Sequence, residues 1–293
     1  GVSEALDLAM RALLAPGDEV LIPEPCYVSY QACTILAGGV PVAVPAKQEN
    51  EFRITPAELE EHVTPRTKVL LIGYPNNPTG AIMTREDLLA IADFAQKHDL
   101  IVISDEIYGD LTYGGEAHIC FSSLPHMQER TLLLNGFSKA YAMTGWRIGY
   151  ALGAPEIIAA MTKIHQYTML CAPITAQLAA IEALRHGEKY MKKMVAEYDR
   201  RRRLIYEGFM KMGLNCFEPK GAFYIFPDIT RTGYTSEEFA EKLLEAEHVA
   251  LVPGSAFGDC GEGHVRCSYA TSVDKISEAL ARIENFVRHH KKA

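Results

Sequence analysis

The sequence predicts an α/β protein in which a largely parallel sheet is covered by helices on both faces, followed by a smaller C-terminal α+β domain. Short apolar runs alternate with amphipathic stretches of helical length through the first half of the chain, which is typical of βαβ units. From about residue 172 this alternation ends, and two long helical patterns and several short strands follow. We therefore predict one domain over residues 1–187 and a second over residues 188–293.

The first predicted domain begins with a helical apolar pattern from Val2 to Leu14. Apolar runs of strand length follow, and amphipathic helix patterns separate several of them. The predicted strands are Glu19–Ile22, Pro41–Val44, Lys68–Ile72, Leu100–Ser104, Thr131–Asn135 and Ile148–Leu152. The predicted helices are Tyr27–Ala37, Thr84–His98 and Pro155–Tyr167. In such sheets the ligand site lies beyond the carboxyl ends of the strands.

The rest of the chain combines long helices with short strands. The predicted helices are Ile174–Arg185, Glu188–Met212, Ser236–Ala246 and Val273–His290. The predicted strands are Phe223–Phe226, Val249–Val252 and Val265–Tyr269. Gly187 separates the first two helices in this prediction, because glycine ends a helix at little cost in free energy. The helix that follows it is expected to bridge the two domains, and residues 289–292 to form a solvated tail.

The composition argues against nucleic-acid and membrane binding. The formal net charge of -8 provides no general basic field to attract phosphate backbones. No apolar run reaches the roughly 18 residues that a membrane-spanning helix needs. The segment Gly1–Ala5 lacks the basic and apolar regions of a signal peptide, so we expect a cytoplasmic protein.

The cysteines fit reduced thiols better than a disulfide framework, because there are seven of them and no Cys-x-x-Cys pair. Cys260, His264 and Cys267 are conceivable zinc ligands. That set lacks a fourth partner, and its spacing is irregular for a structural zinc site. We therefore expect no metal.

Two polar clusters follow predicted strands. The segment Tyr74–Gly80 comes directly after one strand, although its Asn-Pro and Thr-Gly pairs are also ordinary loop residues. Asp105 and Tyr108 follow the very apolar run that ends near Ser104. An aspartate there is either the N-cap of a following helix or a carboxylate that keeps a heterocyclic nitrogen protonated. A phenol three residues later can donate to a ring oxygen, and a pyridinium cofactor requires both of these roles.

Three cationic residues suit reaction with a ligand or binding to one, and Lys139 in particular is poorly explained as a solvated surface lysine. Lys139 lies in a turn rich in glycine, serine and aromatic residues, where an apolar pocket would lower its pKa and make the amine nucleophilic toward an aldehyde. Arg147, eight residues later, offers a fixed fork suited to a phosphate. Arg266 lies in an apolar, strand-like run, and its partner is either a neighbouring acid or a substrate carboxylate held bidentately.

Taken together and in this order, the motifs closely resemble the class I/II aminotransferases of pyridoxal-5'-phosphate (PLP) fold type I. The motifs are Asn77-Pro78-Thr79-Gly80, Asp105 with Tyr108, Ser138-Lys139 with Arg147, and Arg266-Cys267-Ser268-Tyr269-Ala270. The resemblance runs from Gly1 to the C-terminal helix. It implies a PLP-dependent transaminase that moves an amino group between an L-amino acid and a 2-oxo acid by ping-pong kinetics, and it implies a homodimer.

The resemblance also implies a role for each motif residue. Lys139, Asp105 and Tyr108 are expected to be catalytic, with Lys139 holding the cofactor as a Schiff base and Asp105 pairing with its pyridine nitrogen. Tyr108 and Asn77 are expected to donate to the phenolic oxygen of the ring. The other implied contacts are the phosphate with Ser138, Arg147 and the backbone of Val2 and Ser3, the ring face with Tyr27, and the substrate with Arg266 and Asn77.

The sequence departs from the family pattern in two places. Gly136 stands where many relatives have a phosphate-binding serine. The chain also starts with Gly1 and enters a helical pattern at once, so we expect it to be the remainder of a longer chain. In the family, the preceding segment closes over the substrate and lends a tyrosine to the phosphate site of the partner subunit.

Two other functions remain open from the residues alone. A β-lyase or decarboxylase of the same fold would use the same cofactor and differ in the bond that breaks. An aminotransferase-like effector-binding domain of a transcription regulator would differ in class, but no basic helix-turn-helix stretch is present in the sequence. The side chain of the amino donor is also open, with aspartate, alanine, an aromatic amino acid or an N-acyl diamino acid as candidates.

Overall fold

A computed structural model describes residues 1–290, so Lys291 and Lys292 of the expected tail lie outside the described residues. The large sheet consists of β1 (Glu19–Glu24), β2 (Val40–Pro45), β3 (Thr67–Gly73), β4 (Ile101–Asp105), β5 (Thr131–Gly136) and β6 (Gly149–Leu152). The strand order is β2-β1-β3-β4-β5-β6. All neighbours are parallel except β5 and β6, which are antiparallel. The predicted fold class is therefore confirmed.

Helices cover the large sheet on both faces. The helices of this part are α1 (Val2–Leu13), α2 (Ser29–Leu36), α3 (Pro56–Glu60), α4 (Arg85–Lys97) and α5 (Pro155–Thr168). Successive strand residues point to opposite faces, so Val20 and Ile22 pack in one apolar cluster with residues of α1, α2 and α5. Leu21, between them, packs on the other face with residues of α3 and α4. The central strands β1, β3, β4 and β5 are therefore mostly buried and largely apolar, because both faces of the sheet are covered.

A second antiparallel sheet with the order β7-β9-β8 lies in the C-terminal part. Its strands are β7 (Tyr224–Ile225), β8 (Val252–Pro253) and β9 (Val265–Ser268). The remaining helices are α6 (Ile174–His186), α7 (Glu188–Met212), α8 (Ser236–Glu247) and α9 (Val273–His289). Residues of α6 pack next to the large sheet, with Phe137, Met143 and Ile148. Residues of α7, α8 and α9 share a separate apolar core with the antiparallel sheet. The helix α9 ends one residue before the predicted end, and His289 and His290 are both exposed.

The glycine between α6 and α7 is needed for a different reason from the one expected. Gly187 has right-handed backbone angles, φ -80° and ψ -24°, rather than the left-handed conformation of a typical glycine cap. A Cβ at this position would lie 2.8 Å from the ring of Tyr141 and 2.4 Å from the carbonyl oxygen of Ala183. Close packing against the turn that contains Lys139 therefore explains this glycine.

One short helix was not predicted. The helix α3 has only five residues, which is too short for a periodic apolar pattern. Its start is nevertheless encoded locally, because Thr55 and Glu58 form a capping box in which each side chain bonds the other's backbone N–H. Among residues 1–290, none of the helices has the length and apolar character needed to cross a membrane.

Candidate active site

The functional residues predicted from the sequence meet at one edge of the large sheet. Asn77 follows β3, Asp105 ends β4, and Lys139 follows β5. These strands are parallel neighbours, so their carboxyl ends lie side by side. The loops there enclose a cavity of about 200 Å³. All the predicted site residues line it: Val2, Ser3, Tyr27, Asn77, Asp105, Tyr108, Ser138, Lys139, Arg147 and Arg266.

The amine of Lys139 lies among aromatic rings. Its Nζ atom is 5.7 Å from the ring centre of Tyr108 and 5.7 Å from that of Phe223. Burial is the main cause that lowers the pKa of Lys139, and neighbouring charges partly cancel one another. A lowered pKa increases the neutral fraction of the amine, which is the form that attacks an aldehyde.

Asp105 is a buried carboxylate with both oxygens hydrogen-bonded. The Tyr30 hydroxyl donates to Oδ2 at 2.9 Å, and the backbone N–H of Ile107 donates to Oδ1 at 3.2 Å. Burial raises the pKa of Asp105 to about 6, although both donors act in the opposite direction. A turn follows Asp105 rather than a helix, so the helix-cap interpretation is wrong.

Another part of the cavity is lined by donors that suit an anion. Val2 and Ser3 begin α1, and the N–H groups of a helix start carry partial positive charge. Arg147 has a left-handed backbone, with φ 53°, and its Nη1 donates to the carbonyl oxygen of Thr144 at 2.8 Å. With the hydroxyl of Ser138, these groups form a donor set of the kind that binds phosphate.

The departure at Gly136 has a steric reason. Gly136 on β5 pairs with Gly149 on β6. A Cβ at Gly136 would lie 2.8 Å from the Cα of Gly149 and 3.0 Å from the carbonyl oxygen of Ile148. A serine at this position therefore requires the two strands to move apart.

Arg266 has no acidic partner among residues 1–290, so the internal ion pair considered from the sequence is wrong. Its Nη1 donates to Asn77 Oδ1 at 3.0 Å. The guanidinium carbon lies 4.6 Å from the ring centre of Tyr224 and 4.9 Å from that of Phe257. Its Nε–H is buried without a hydrogen-bond partner in the described chain. Such a donor is costly unless an anion binds there.

Two neutral donors complete the cavity. The hydroxyls of Tyr108 and Tyr224 are hydrogen-bonded at 3.0 Å. Burial holds the pKa of Tyr108 well above its usual range, so its phenol stays protonated. The carbonyl oxygen of Asn77 accepts from Arg266, and its NH2 group is the end that remains to donate. Both side chains are thus suited to donate to an acceptor on a bound ring.

The cavity fits the cofactor that the resemblance implies. It combines an amine of lowered pKa, a buried carboxylate and a cationic donor set for a phosphate. The unpartnered Nε–H of Arg266 marks a further anion position beside the same cavity. The amine suits the cofactor aldehyde, the buried carboxylate suits the pyridine nitrogen, and the donor set suits the phosphate. Arg266 suits a substrate carboxylate.

The residues considered as zinc ligands have other contacts. The ring of His264 stacks on Phe226 with centres 4.9 Å apart, and its Nε2 is 2.9 Å from Gln48 Oε1. Cys267 is buried in the apolar core of the C-terminal part. Within residues 1–290, no group of three or more His, Cys, Asp or Glu side chains is arranged to hold a metal ion.

Sequence reasoning missed several residues that line the cavity. These are Tyr30, Pro75, Ile107, Thr144 and Tyr224. Pro75, Ile107 and Thr144 lie within the quoted motifs, so their proximity could have been inferred. Tyr30 is three residues after Tyr27 in the predicted helix Tyr27–Ala37, and this spacing was the available signal. In the structure α2 begins only at Ser29, so Tyr27 precedes the helix. Nothing in the sequence indicates that the Tyr224 hydroxyl contacts Tyr108.

Comparisons with known proteins agree with this site. The family model described as "Aminotransferase class I and II" matches residues 1–283. An aspartate aminotransferase of Pyrococcus abyssi is 50% identical over 99% of this chain and 75% of its own length. A putative aminotransferase, YugH, of Bacillus subtilis is 52% identical over 98% of this chain and 74% of its own length. The solved aromatic aminotransferase of Pyrococcus horikoshii has a TM-score of 0.98 and 48% identity, covering 99% of this chain and 78% of that one.

These matches favour transamination over the lyase, decarboxylase and regulator alternatives, because the similar proteins are named as aminotransferases. The match covers the cavity and every motif residue that lines it. The enzyme is a transaminase that uses pyridoxal 5'-phosphate, acts on amino acids and 2-oxo acids, and belongs to the class I and II aminotransferases.

Proposed function

We propose that the cavity around Lys139 is the active site of this transaminase, with Lys139, Asp105 and Tyr108 as its catalytic residues. One observation carries the proposal: a lysine of lowered pKa, a buried carboxylate and a phosphate-type donor set line the same 200 Å³ cavity. Perturbed pKa values of this kind concentrate at catalytic sites. The family match supports the same assignment.

We assign the cofactor contacts from the chemistry of the side chains. Lys139 would hold the cofactor through its aldehyde as a Schiff base, and Tyr27 would cover the ring face. Tyr108 and the NH2 group of Asn77 donate to the phenolic oxygen. The phosphate is held by the remaining donors, which are Ser138, Arg147 and the backbone N–H groups of Val2 and Ser3.

Bound PLP supplies an electron sink for the pair left when the substrate Cα–H bond breaks. Asp105 would hold a proton on the pyridine nitrogen, because a carboxylate favours the positive charge of a pyridinium. Lys139, whose free amine would face the bound substrate, would remove the Cα proton as general base. Arg266, assisted by Asn77, binds the α-carboxylate and so orients the Cα–H bond.

The amino donor is proposed from the relatives, which include an aspartate aminotransferase and an aromatic aminotransferase. We propose that this enzyme accepts at least one of aspartate and the aromatic amino acids. A panel of aspartate, tyrosine, phenylalanine and alanine, each with 2-oxoglutarate as acceptor, tests the choice. Ping-pong kinetics, seen as parallel lines in double-reciprocal plots, are expected with every active donor.

Lys139→Ala is the first test of the active site. We expect loss of the cofactor's covalent attachment and a fall in transamination of about 100-fold or more, because both the Schiff base and the general base are removed. Borohydride reduction of the loaded wild-type enzyme, followed by peptide mapping, should place the pyridoxyl group on Lys139.

Lys220→Ala is the matched control for this test, since Lys220 pairs with Glu51 at 3.4 Å outside the cavity. We expect the control to keep both labelling and activity. A pyridoxyl group on any other lysine contradicts the assignment.

We also propose that the enzyme is a homodimer. Apolar residues of α6 recur at helical spacing on an exposed face: Ile174 is 65% exposed and Leu178 is 57% exposed. Tyr167 and Leu170, just before α6, are 79% and 81% exposed. Large side chains grouped in this way are typical of subunit interfaces, and a second copy of the chain is the partner that the family match favours.

Two further assignments complete the proposal. We place the boundary between the cofactor-binding domain, residues 1–187, and the smaller domain, residues 188–293, at Gly187, where α6 ends and α7 begins. The separate apolar core around α7, α8 and α9 supports this boundary. We propose a cytoplasmic location, which the seven free cysteines support.

A further inference from the structure

Tyr30 makes an unusual contact for a residue of a surface helix. It is the second residue of α2, yet its side chain is only 5% exposed. Its hydroxyl donates to Oδ2 of Asp105 at 2.9 Å, across 75 positions of sequence. Its ring also lies edge-on to Tyr27, with centres 5.7 Å apart. Tyr30 therefore contacts two of the proposed cofactor residues.

Gly73 provides the space for this contact. Gly73 ends β3 and pairs in register with Asp105 on β4. A Cβ at Gly73 would lie 2.2 Å from the Tyr30 hydroxyl oxygen and 3.1 Å from its ring carbon Cζ. Any other residue at the end of β3 would therefore displace the phenol from the carboxylate. The contact depends on three separate elements, namely α2, β3 and β4.

Several charged groups surround Asp105, and the Tyr30 hydroxyl is a neutral donor among them. Burial is the largest cause and raises the pKa of Asp105, the hydrogen bonds from Ile107 and Tyr30 lower it, Glu106 raises it and Lys139 lowers it. The carboxylate of Glu106 accepts hydrogen bonds from the Ser104 hydroxyl and the Phe121 backbone N–H, and its Oε2 is 2.5 Å from His118 Nε2. Burial and the carboxylate hold the pKa of Tyr30 well above its usual range, so the phenol remains a donor. Cys26 and Tyr108 are the other titratable groups near it.

We propose that Tyr30 is a positioning residue for transamination, whose hydroxyl orients Asp105 and keeps it ionised for the cofactor nitrogen, in a space that Gly73 leaves open. This inference rests on the proposed function, since Asp105 must be the partner of that nitrogen. A hydrogen bond to the charged form of a carboxyl favours that form. Without it, Asp105 binds a proton more tightly and competes with the pyridine nitrogen for the proton they share.

The test uses Tyr30→Phe, with the titration of Asp105 in the cofactor-free protein as its main measurement. Carbon-13 NMR of labelled aspartate follows the carboxyl, and Asp105→Asn assigns the signal. We expect the pKa of Asp105 to rise by about one unit, because a hydrogen bond to a charged group and one pKa unit are of similar free energy. In the loaded enzyme, the half-reaction with saturating amino acid should slow about tenfold, which corresponds to that unit. The Kd of the amino acid should change less than about twofold, since Arg266 is untouched.

Tyr74→Phe is the matched control. The Tyr74 hydroxyl also donates one buried bond of 2.9 Å, to the carbonyl oxygen of Phe52, and its side chain is 8% exposed. We expect this control to leave the Asp105 titration and the half-reaction unchanged. An unshifted Asp105 signal in Tyr30→Phe, or an equal shift in the control, overturns the proposal.

Gly73→Ala provides an independent second variant. We expect it to reproduce the Asp105 shift, and to add little when combined with Tyr30→Phe, because residues that act through one contact are not additive. Additive shifts overturn the proposal even if Tyr30→Phe alone behaves as expected. If Asp105→Asn transaminates normally, the proposed function of Asp105 fails. If Asp105→Asn is inactive but Asp105 titrates normally in Tyr30→Phe and Gly73→Ala, only the role of Tyr30 fails.

Discussion

At the scale of single residues, the site contains groups that cost stability in the cofactor-free chain. Asp105 is buried with its pKa raised to about 6, and Arg266 has a buried Nε–H without a partner in the described chain. Both costs disappear if a cation and an anion bind beside these residues. Buried charges and unpaired donors that cost stability are typical of functional sites, because proteins are selected for activity as well as for stability.

Asp105→Asn should affect activity and stability in opposite directions. We expect Cα deprotonation in single-turnover experiments to slow by about 100-fold or more, because a neutral amide does not hold the pyridinium proton. The raised pKa, about 6 against 3.8, means that the folded state binds more protons than the unfolded state between these values. The wild-type protein therefore loses stability as pH rises from about 4 to 6. The cofactor-free variant should be more stable above pH 6, by on the order of 3 kcal/mol.

Urea unfolding of both cofactor-free proteins at pH 4 and pH 7.5 measures this difference. The two proteins should unfold at more similar urea concentrations at pH 4, because this pH is close to the unfolded-state pKa of 3.8 and most of the pH-dependent difference develops above it. A variant that loses only a few-fold in single-turnover rate contradicts the catalytic role of Asp105.

Arg266→Lys should weaken substrate binding far more than cofactor binding. A lysine cannot make the bidentate contact with a carboxylate, so the KM of both the amino acid and the 2-oxo acid should rise about 10- to 100-fold, matching one lost charged hydrogen bond. The affinity for PLP, measured by absorbance titration, should stay within about threefold. An unchanged KM would mean that the guanidinium does not contact the substrate.

At the scale of elements, one tight contact joins the large sheet to the C-terminal part. Glu24 ends β1 and is 1% exposed; the side chain of Gln31 donates to it. Backbone N–H groups of Asp259 and Cys260, in the loop between β8 and β9, also bond to its carboxylate. Gly258 lies against the same carboxylate, with φ 109° and ψ 164°, a conformation nearly restricted to glycine. This contact holds the loop that leads to Arg266 against the strand that leads to Tyr27.

Gly258→Ala should therefore destabilise the folded protein. A Cβ there would lie 2.2 Å from Glu24 Oε2, and the backbone conformation is strained for alanine. We expect a loss of about 2–3 kcal/mol, measured by urea unfolding. Gly145→Ala is the control, since no atom lies within 4 Å of its added Cβ, and its stability should change by less than about 0.5 kcal/mol. Equal effects of the two substitutions would contradict the proposed contact.

At the scale of the whole molecule, the exposed apolar face of α6 is the feature that the chain alone does not explain. Helices exposed on a monomer normally carry polar residues on the solvent side. In α6, Ile174, Leu178, Ile181 and Leu184 are all more than 40% exposed. The acidic net charge favours solubility and does not offset a hydrophobic patch of this kind.

Leu178→Asp should shift the enzyme from dimer to monomer. A charge at the centre of an apolar interface remains unpaired on binding and costs several kcal/mol. Light scattering over a range of protein concentrations measures the change. Leu244→Asp is the control, because Leu244 is 50% exposed on α8, away from this face. Identical masses of wild type and both variants would contradict the proposed interface.

The sequence by itself determined most of the elements and the residues of the candidate site, which line one cavity. The strands before Asn77, Asp105 and Lys139 were predicted because hydrophobic periodicity and residue composition are local properties of the chain. Since these strands are parallel, their carboxyl ends lie at one edge of the sheet. The helix α7 was predicted to the residue, since an amphipathic pattern of 25 residues is unambiguous.

Only the tertiary structure decided the contacts that tune the site. Tyr30 reaches Asp105 across 75 positions, Tyr224 reaches Tyr108 across 116, and Asn77 reaches Arg266 across 189. No local pattern encodes such pairs, because they depend on how the elements pack and on gaps such as the one at Gly73. The kind of chemistry that each site residue can perform is thus predictable from the sequence. The pKa and the orientation of each side chain depend on neighbours that only the folded structure brings together.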